Sequence, residues 1–202
     1  MNANIPVIFR TYQSRETHLN CTIWEAARAT SAAPAFFKRI EIGTTLKQPF
    51  IDGGLGRNNP SRLVLDEAKR LFSSRQMGLL LSIGTGMSKV ISIKKSGISQ
   101  RIGPTDAVDV LKAIVTDCDA THETMADLFT NSPNTYFRLN VDQGMQEIEF
   151  SEWEKLSNVG SHTTQYMNRK EVDAKLGLLV NVIRVPRGQM TIEQLSKEGF
   201  LK

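Results

Sequence analysis

Apolar positions along the chain come in two rhythms. Residues 6–12, Pro-Val-Ile-Phe-Arg-Thr-Tyr, are an apolar and β-branched run that predicts a buried strand. Residues 50–53 predict a second strand. The continuous apolar run 77–83, bounded by glycine, predicts a third, buried on both faces. Between these runs the period lengthens to that of a helix. Thr22 and Glu25 stand at capping-box spacing before an alanine-rich stretch (Ala26, Ala27, Ala29) that Pro34 terminates. Asn59 is placed to cap a further helix, with Pro60 in its first turn. On that helix Leu63, Val64, Ala68, Leu71 and Phe72 share one face, and Arg62, Asp66, Lys69 and Arg70 the other. Strand, helix and strand with short joints predict a parallel sheet.

The second half is mainly helical. From residue 105 to about 130, Val108, Leu111, Val115, Cys118, His122, Met125 and Phe129 recur at steps of three and four. This is a packing stripe, on which His122 reads as a packed histidine. Residues 136–141 predict a further strand. Ser151 and Glu154 have capping-box spacing before a helix through Trp153, Leu156 and Val159 to Tyr166. A last helix over 172–183 is closed by Pro186-Arg187-Gly188. Residues 87–104, with Lys94, Lys95 and Arg101 among glycine and serine, read as a solvated excursion. Gly84-Thr85-Gly86 lacks the third glycine or the Walker pattern of a nucleotide loop, and reads as a turn at a strand end.

Composition narrows the classes. The 202 residues, 40% of them hydrophobic, suit one domain. The 25 basic and 21 acidic residues are interspersed, and the charge of +4 offers no basic tract for nucleic acid. Cys21 and Cys118 are far apart and fit no metal-ligand spacing, as expected of buried, reduced thiols. No apolar run approaches the ~20 residues of a membrane span. The N-terminus has no signal-peptide pattern, so a cytoplasmic protein is expected, at most peripheral on a membrane. No calcium loop, metal site or cofactor motif is present in the sequence, and none is expected.

The chemistry gathers at Phe50-Ile51-Asp52-Gly53-Gly54-Leu55-Gly56-Arg57-Asn58-Asn59-Pro60. An acid at a strand end, followed by three glycines within four residues, can hold a carboxylate at the mouth of a site. Taken alone, an ordinary turn aspartate is the simpler reading. Two further blocks change this: Ala27-Arg28-Ala29-Thr30-Ser31-Ala32-Ala33-Pro34 upstream, and Leu81-Ser82-Ile83-Gly84-Thr85-Gly86 downstream. In this order and spacing the three resemble the patatin-like phospholipases, and most closely a fungal-type branch. The resemblance is dense over 6–72 and looser at 81–86 and 136–141.

That resemblance implies a partial patatin-like α/β fold, a mostly parallel central sheet flanked by helices with its N-terminal strands missing. It implies one partial domain over 1–202, motif-bearing through 86 and mainly helical from 87. The activity implied is lipid acyl hydrolysis by a serine–aspartate dyad without histidine. Asp52 then occupies the proton-acceptor position, and Gly53 and Gly54 keep side chains away from it. The implied partners are a lipid or acyl ester substrate and a transient membrane surface, for which Phe36, Phe37 and the 87–104 excursion are the candidates.

The family's Gly-x-Ser-x-Gly elbow and Gly-rich oxyanion segment are absent from this sequence. Gly86-Met87-Ser88-Lys89-Val90 and Gly97-Ile98-Ser99-Gln100-Arg101 both lack the closing glycine. The chain therefore resembles the part of a patatin domain that follows the nucleophile, with the base but no nucleophilic serine. Ser31 or Ser82 paired with His18, His122 or His162 is the weaker rescue, because no context distinguishes those residues. Three readings follow. One is a hydrolase fragment inactive alone, completed by an upstream half-domain or a partner. Another is a catalytically dead module that binds lipid or protein. The last is a generic α/β interaction domain.

Overall fold

The computed structural model describes residues 6–13, 19–34, 36–87, 118–148, 152–185 and 188–198, with side chains through 195. The architecture is α/β. The described residues form two compact units, one running through Asn58 and the other starting at Asn59, and each has its own core.

In the first unit, α1 (Ile23–Thr30) starts at the anticipated capping box. The Thr22 amide donates to Glu25 Oε2 at 2.8 Å, and the Glu25 amide donates to Thr22 Oγ1 at 3.4 Å. β1 (Ile40–Ile42) and β2 (Gln48–Phe50) form an antiparallel hairpin with Ile40 opposite Phe50. Gly43 makes its turn possible: it sits at φ +129°, and a Cβ there would lie 2.4 Å from the Leu46 carbonyl oxygen. Ala29, Ile42 and Phe50 are the core, with Phe9, Leu19, Cys21 and Ile40 packed on it.

Two expectations change in this unit. Residues 6–12 are not a strand, although Phe9 still packs on Phe50. A strand exists through its ladder, and residues 6–12 belong to neither of the described ladders. The strand expected at 50–53 ends at Phe50 and is antiparallel, so Asp52 stands two residues beyond it.

The second unit holds α3 (Ser61–Phe72), β3 (Leu80–Ile83), α4 (Asp119–Leu128), β4 (Tyr136–Leu139), a 3₁₀ turn (Trp153–Lys155), α5 (Leu156–Met167), α6 (Lys170–Arg184) and α7 (Ile192–Glu198). The preceding α2 (Gly54–Arg57), in the first unit, is a kinked single turn with Gly56 at φ +87°. β3 and β4 pair in parallel, Leu80 opposite Tyr136 and Ser82 opposite Arg138. Leu65, Met77, Leu80, Met125, Leu128, Phe129, Ile192 and Leu195 form the main core. A smaller cluster joins Val141, Tyr166 and Val172.

β3 alternates rather than being buried on both faces: Leu80 and Ser82 are buried, while Leu81 and Ile83 face out, Ile83 at 72% exposure. Among the described residues its neighbours cover one face. The buried face of α3 is also rotated from the one expected. Ser61, Leu65 and Ala68 face the core, while Val64, Leu71 and Phe72 are exposed. A polar contact accompanies this face: Ser61 Oγ donates to Asn59 Oδ1 at 2.7 Å and lies 3.1 Å from Ser82 Oγ on β3. The same face carries Leu65, which is fully buried, so apolar burial and the polar contact agree on the rotation.

The cap expected at Asn59 shifts by one residue: Pro60 holds the N-cap position and makes no side-chain cap bond, while Asn59 Oδ1 accepts the Ser61 amide at 3.2 Å as an Asx turn before the helix. Of the stripe over 105–130, the part within the described residues lies in α4, whose Met125 and Leu128 are buried; residues 105–117 lie outside the described residues. So do most of the 87–104 excursion, Ser151, His18 and Pro186-Arg187. Gly84-Thr85-Gly86 is a packing turn: the Gly86 amide donates to Asn140 Oδ1 at 2.8 Å, and a Cβ on Gly84 would lie 2.2 Å from that oxygen. Among the described residues no helix is long and apolar enough to cross a membrane, and no His/Cys/Asp/Glu group could hold a metal ion.

Candidate active site

Asp52 is half-buried just past the hairpin. Its amide donates to the Ala32 carbonyl at 3.1 Å, which ties it to the chain leaving α1. Asp52 Oδ1 accepts the Gly54 amide at 2.6 Å, a charge-assisted bond that orients the carboxylate. Oδ2 takes no hydrogen bond from the described residues, so one oxygen is anchored and the other is unengaged.

The two glycines differ in role. A Cβ on Gly54 would lie 3.0 Å from Asp52 Oδ1, whereas one on Gly53 would meet only Thr30 Oγ1, at 3.9 Å. Gly54 therefore guards the carboxylate, and Gly53 does so far less. Arg28 donates to the Lys38 carbonyl and lies 5.6 Å from the Phe37 ring, pinning the 36–38 loop to α1. Phe36 and Phe37 are exposed. Burial, and then Glu25, push the Cys21 thiol above its ordinary range, so it stays protonated at neutral pH.

The alternative nucleophiles are engaged elsewhere. Ser31 Oγ donates to the Ala27 carbonyl at 2.8 Å, as a helix-end serine does. Ser82 Oγ accepts Arg138 Nη1 at 2.8 Å beside Ser61. His122 Nδ1 lies 3.0 Å from the Tyr136 hydroxyl, and the His162 ring packs onto Gly144.

The second unit holds a feature that sequence reasoning missed. A cavity of about 210 Å³ is lined by His122, Phe129, Asn134, Tyr136, Arg138 and Lys175, among others, and no acidic side chain lines it. Arg138 is 7% exposed. Its Nη1 reaches Ser82, while its Nε is buried without a partner. Lys175 Nζ donates to the Arg138 carbonyl at 2.7 Å. Burial lowers the pKa of Lys175, and burial with the nearby Arg138 and Lys175 lowers that of His122. The available signal was Tyr136-Phe137-Arg138-Leu139, whose alternation puts Tyr136 and Arg138 on one face of a strand.

Comparison with known proteins places the chain. The model of the patatin-like phospholipases matches residues 3–65, which contain both Asp52 and the Ala27–Pro34 block. Calcium-independent phospholipase A2-gamma of Oryctolagus cuniculus is 33% identical over 150 residues, covering 74% of this chain and 18% of the relative. The Rattus norvegicus protein of that name is 30% identical over 176 residues, covering 86% and 21%. Patatin-like phospholipase 1 of Plasmodium falciparum is 28% identical over 162 residues, covering 72% and 24%. The chain thus spans about a fifth to a quarter of the length of these curated relatives. With α/β architecture and motifs in the matched order, the chain belongs to the patatin-like phospholipase family.

Proposed function

We propose that this chain is the base-bearing part of a lipid acyl hydrolase and is inactive alone. In this reading Asp52 takes the proton from a serine hydroxyl furnished by polypeptide outside these 202 residues. The observation that carries it is the carboxylate, one oxygen gripped by the Gly54 amide and the other unengaged, within the segment that the family model matches. A serine hydroxyl is a weak nucleophile at neutral pH until a positioned base accepts its proton. Backbone donors for the developing oxyanion would arrive with the serine, since the Gly-rich segment is absent here. The substrate class is an acyl ester of a lipid, met at an interface where the exposed Phe36 and Phe37 would touch the lipid.

A catalytically dead module that binds lipid or protein is the second reading, favoured by the missing Gly-x-Ser-x-Gly. The genomic frame upstream separates the two. A Gly-x-Ser-x-Gly on a strand-to-helix pattern there supports the hydrolase, and its absence supports the module. The inactivity is tested by ester hydrolysis with the chain and its Asp52→Asn variant. Both should stay at background, and turnover that Asp52→Asn removes would show that a serine of this chain serves as nucleophile.

A further inference from the structure

We propose that the cavity between α4, β4 and α6 binds a phosphoryl group, with Arg138 and Lys175 as its charged ligands. The proposal rests on these side chains and holds whether or not Asp52 is a base. An arginine this buried ordinarily faces a carboxylate or another anion, because a desolvated charge without one is costly. Arg138 forms no ion pair among the described residues, and its Nε is unpartnered. Lys175, half-buried, donates only to a carbonyl. Two cations, the Tyr136 hydroxyl and His122 therefore line one cavity, without an acid to neutralise them.

Asp119 and Glu123 on α4 favour His122 protonation, but by less than burial, Arg138 and Lys175 oppose it. A planar guanidinium beside a flexible ammonium is the donor set that phosphoryl oxygens suit. At about 210 Å³ the space falls below the ~300–1,000 Å³ of sites that enclose drug-sized ligands. It suits a headgroup-sized group, and an acyl chain would not fit. The exposed Ala126, Pro133 and Asn134 give it a mouth. Asn134 holds a left-handed φ of 59° at that rim.

Calorimetric titration of the 202-residue chain with inorganic phosphate and with glycerol 3-phosphate, plus flotation with phosphatidylcholine vesicles with and without phosphatidic acid, tests this. Saturable binding of the soluble phosphates marks a free phosphoryl ligand. Binding only to vesicles that contain phosphatidic acid marks a lipid headgroup. Lys175→Gln should weaken either by at least about tenfold with secondary structure and melting retained. Lys170→Gln, the same charge change at an exposed position of α6, should leave it unchanged. Arg138→Gln should abolish it; should that variant not fold, the contrast between Lys175→Gln and Lys170→Gln decides. Absence of saturable binding in every arm, or binding indifferent to Lys175→Gln, overturns the proposal.

Discussion

At the scale of single residues, the Asp52 turn makes a sharp distinction between its two glycines. Gly54→Ala would put a methyl group 3.0 Å from Oδ1 and must displace the carboxylate or the turn. We expect a loss of about 1 kcal/mol for Gly54→Ala and a change within about 0.5 kcal/mol for Gly53→Ala, read from urea midpoints. Equal effects at the two positions would contradict the geometry. His122 gives a pH signature. Its folded-state pKa lies below the ordinary 6.5, so the unfolded chain binds the proton more readily. This contribution is intact above about pH 6.5 and is lost as pH falls through that value toward the depressed folded pKa. His122→Gln should flatten the slope of stability between pH 7 and 5; an unchanged slope would contradict it. The Asp52 turn was legible because the Asp-Gly-Gly block stands in order with the Ala27–Pro34 and Leu81–Gly86 blocks, and not through any unusual backbone, since Gly53 takes an ordinary helical φ of −65°. Arg138 was not, since arginine is ordinarily exposed and only the register of β4 against β3 turns it inward.

At the scale of elements, capping chemistry was the most readable signal and core phase the least. Thr22 with Glu25 acts as its spacing implies, while Asn59 makes an Asx turn to Ser61 one residue before the N-cap. The same code marks Thr191 with Gln194, where the Thr191 amide donates to Gln194 Oε1 at 2.8 Å and the Gln194 amide to Thr191 Oγ1 at 3.3 Å. That box opens α7, an element lying beyond the last helix read from the sequence. α7 carries Leu195, fully buried against the α3 and α4 residues of the main core. Leu195→Ala should therefore cost about 2–5 kcal/mol in chemical denaturation. A cost near zero would mean that α7 does not belong to the folded unit. The hairpin of β1 and β2 escaped notice because each strand has three residues, too few for alternation to stand out. The face of α3 was misread because it is a mixed one, Ser61 reaching Ser82 on β3 while Leu65 and Ala68 enter the core.

At the scale of the whole molecule, the parallel pair is narrow for a family built on a central sheet. β3 pairs with β4 along one edge; among the described residues nothing pairs along the other, and Leu81 and Ile83 lie outward on its face. Open edges with apolar faces pair with whatever strand they meet. The isolated chain is expected to self-associate, with Ile83→Lys shifting it toward monomer in light scattering; a monodisperse wild-type monomer would count against this. The central claim concerns Asp52 and a serine borne elsewhere. It is tested most directly by fusing this chain to the part of the rabbit phospholipase A2-gamma relative that precedes its matched region, and measuring fatty acid release from phospholipid vesicles. The account predicts turnover by the fusion and a fall of about 10²–10⁴-fold on Asp52→Asn with the fold intact. Turnover that survives Asp52→Asn undiminished would contradict it.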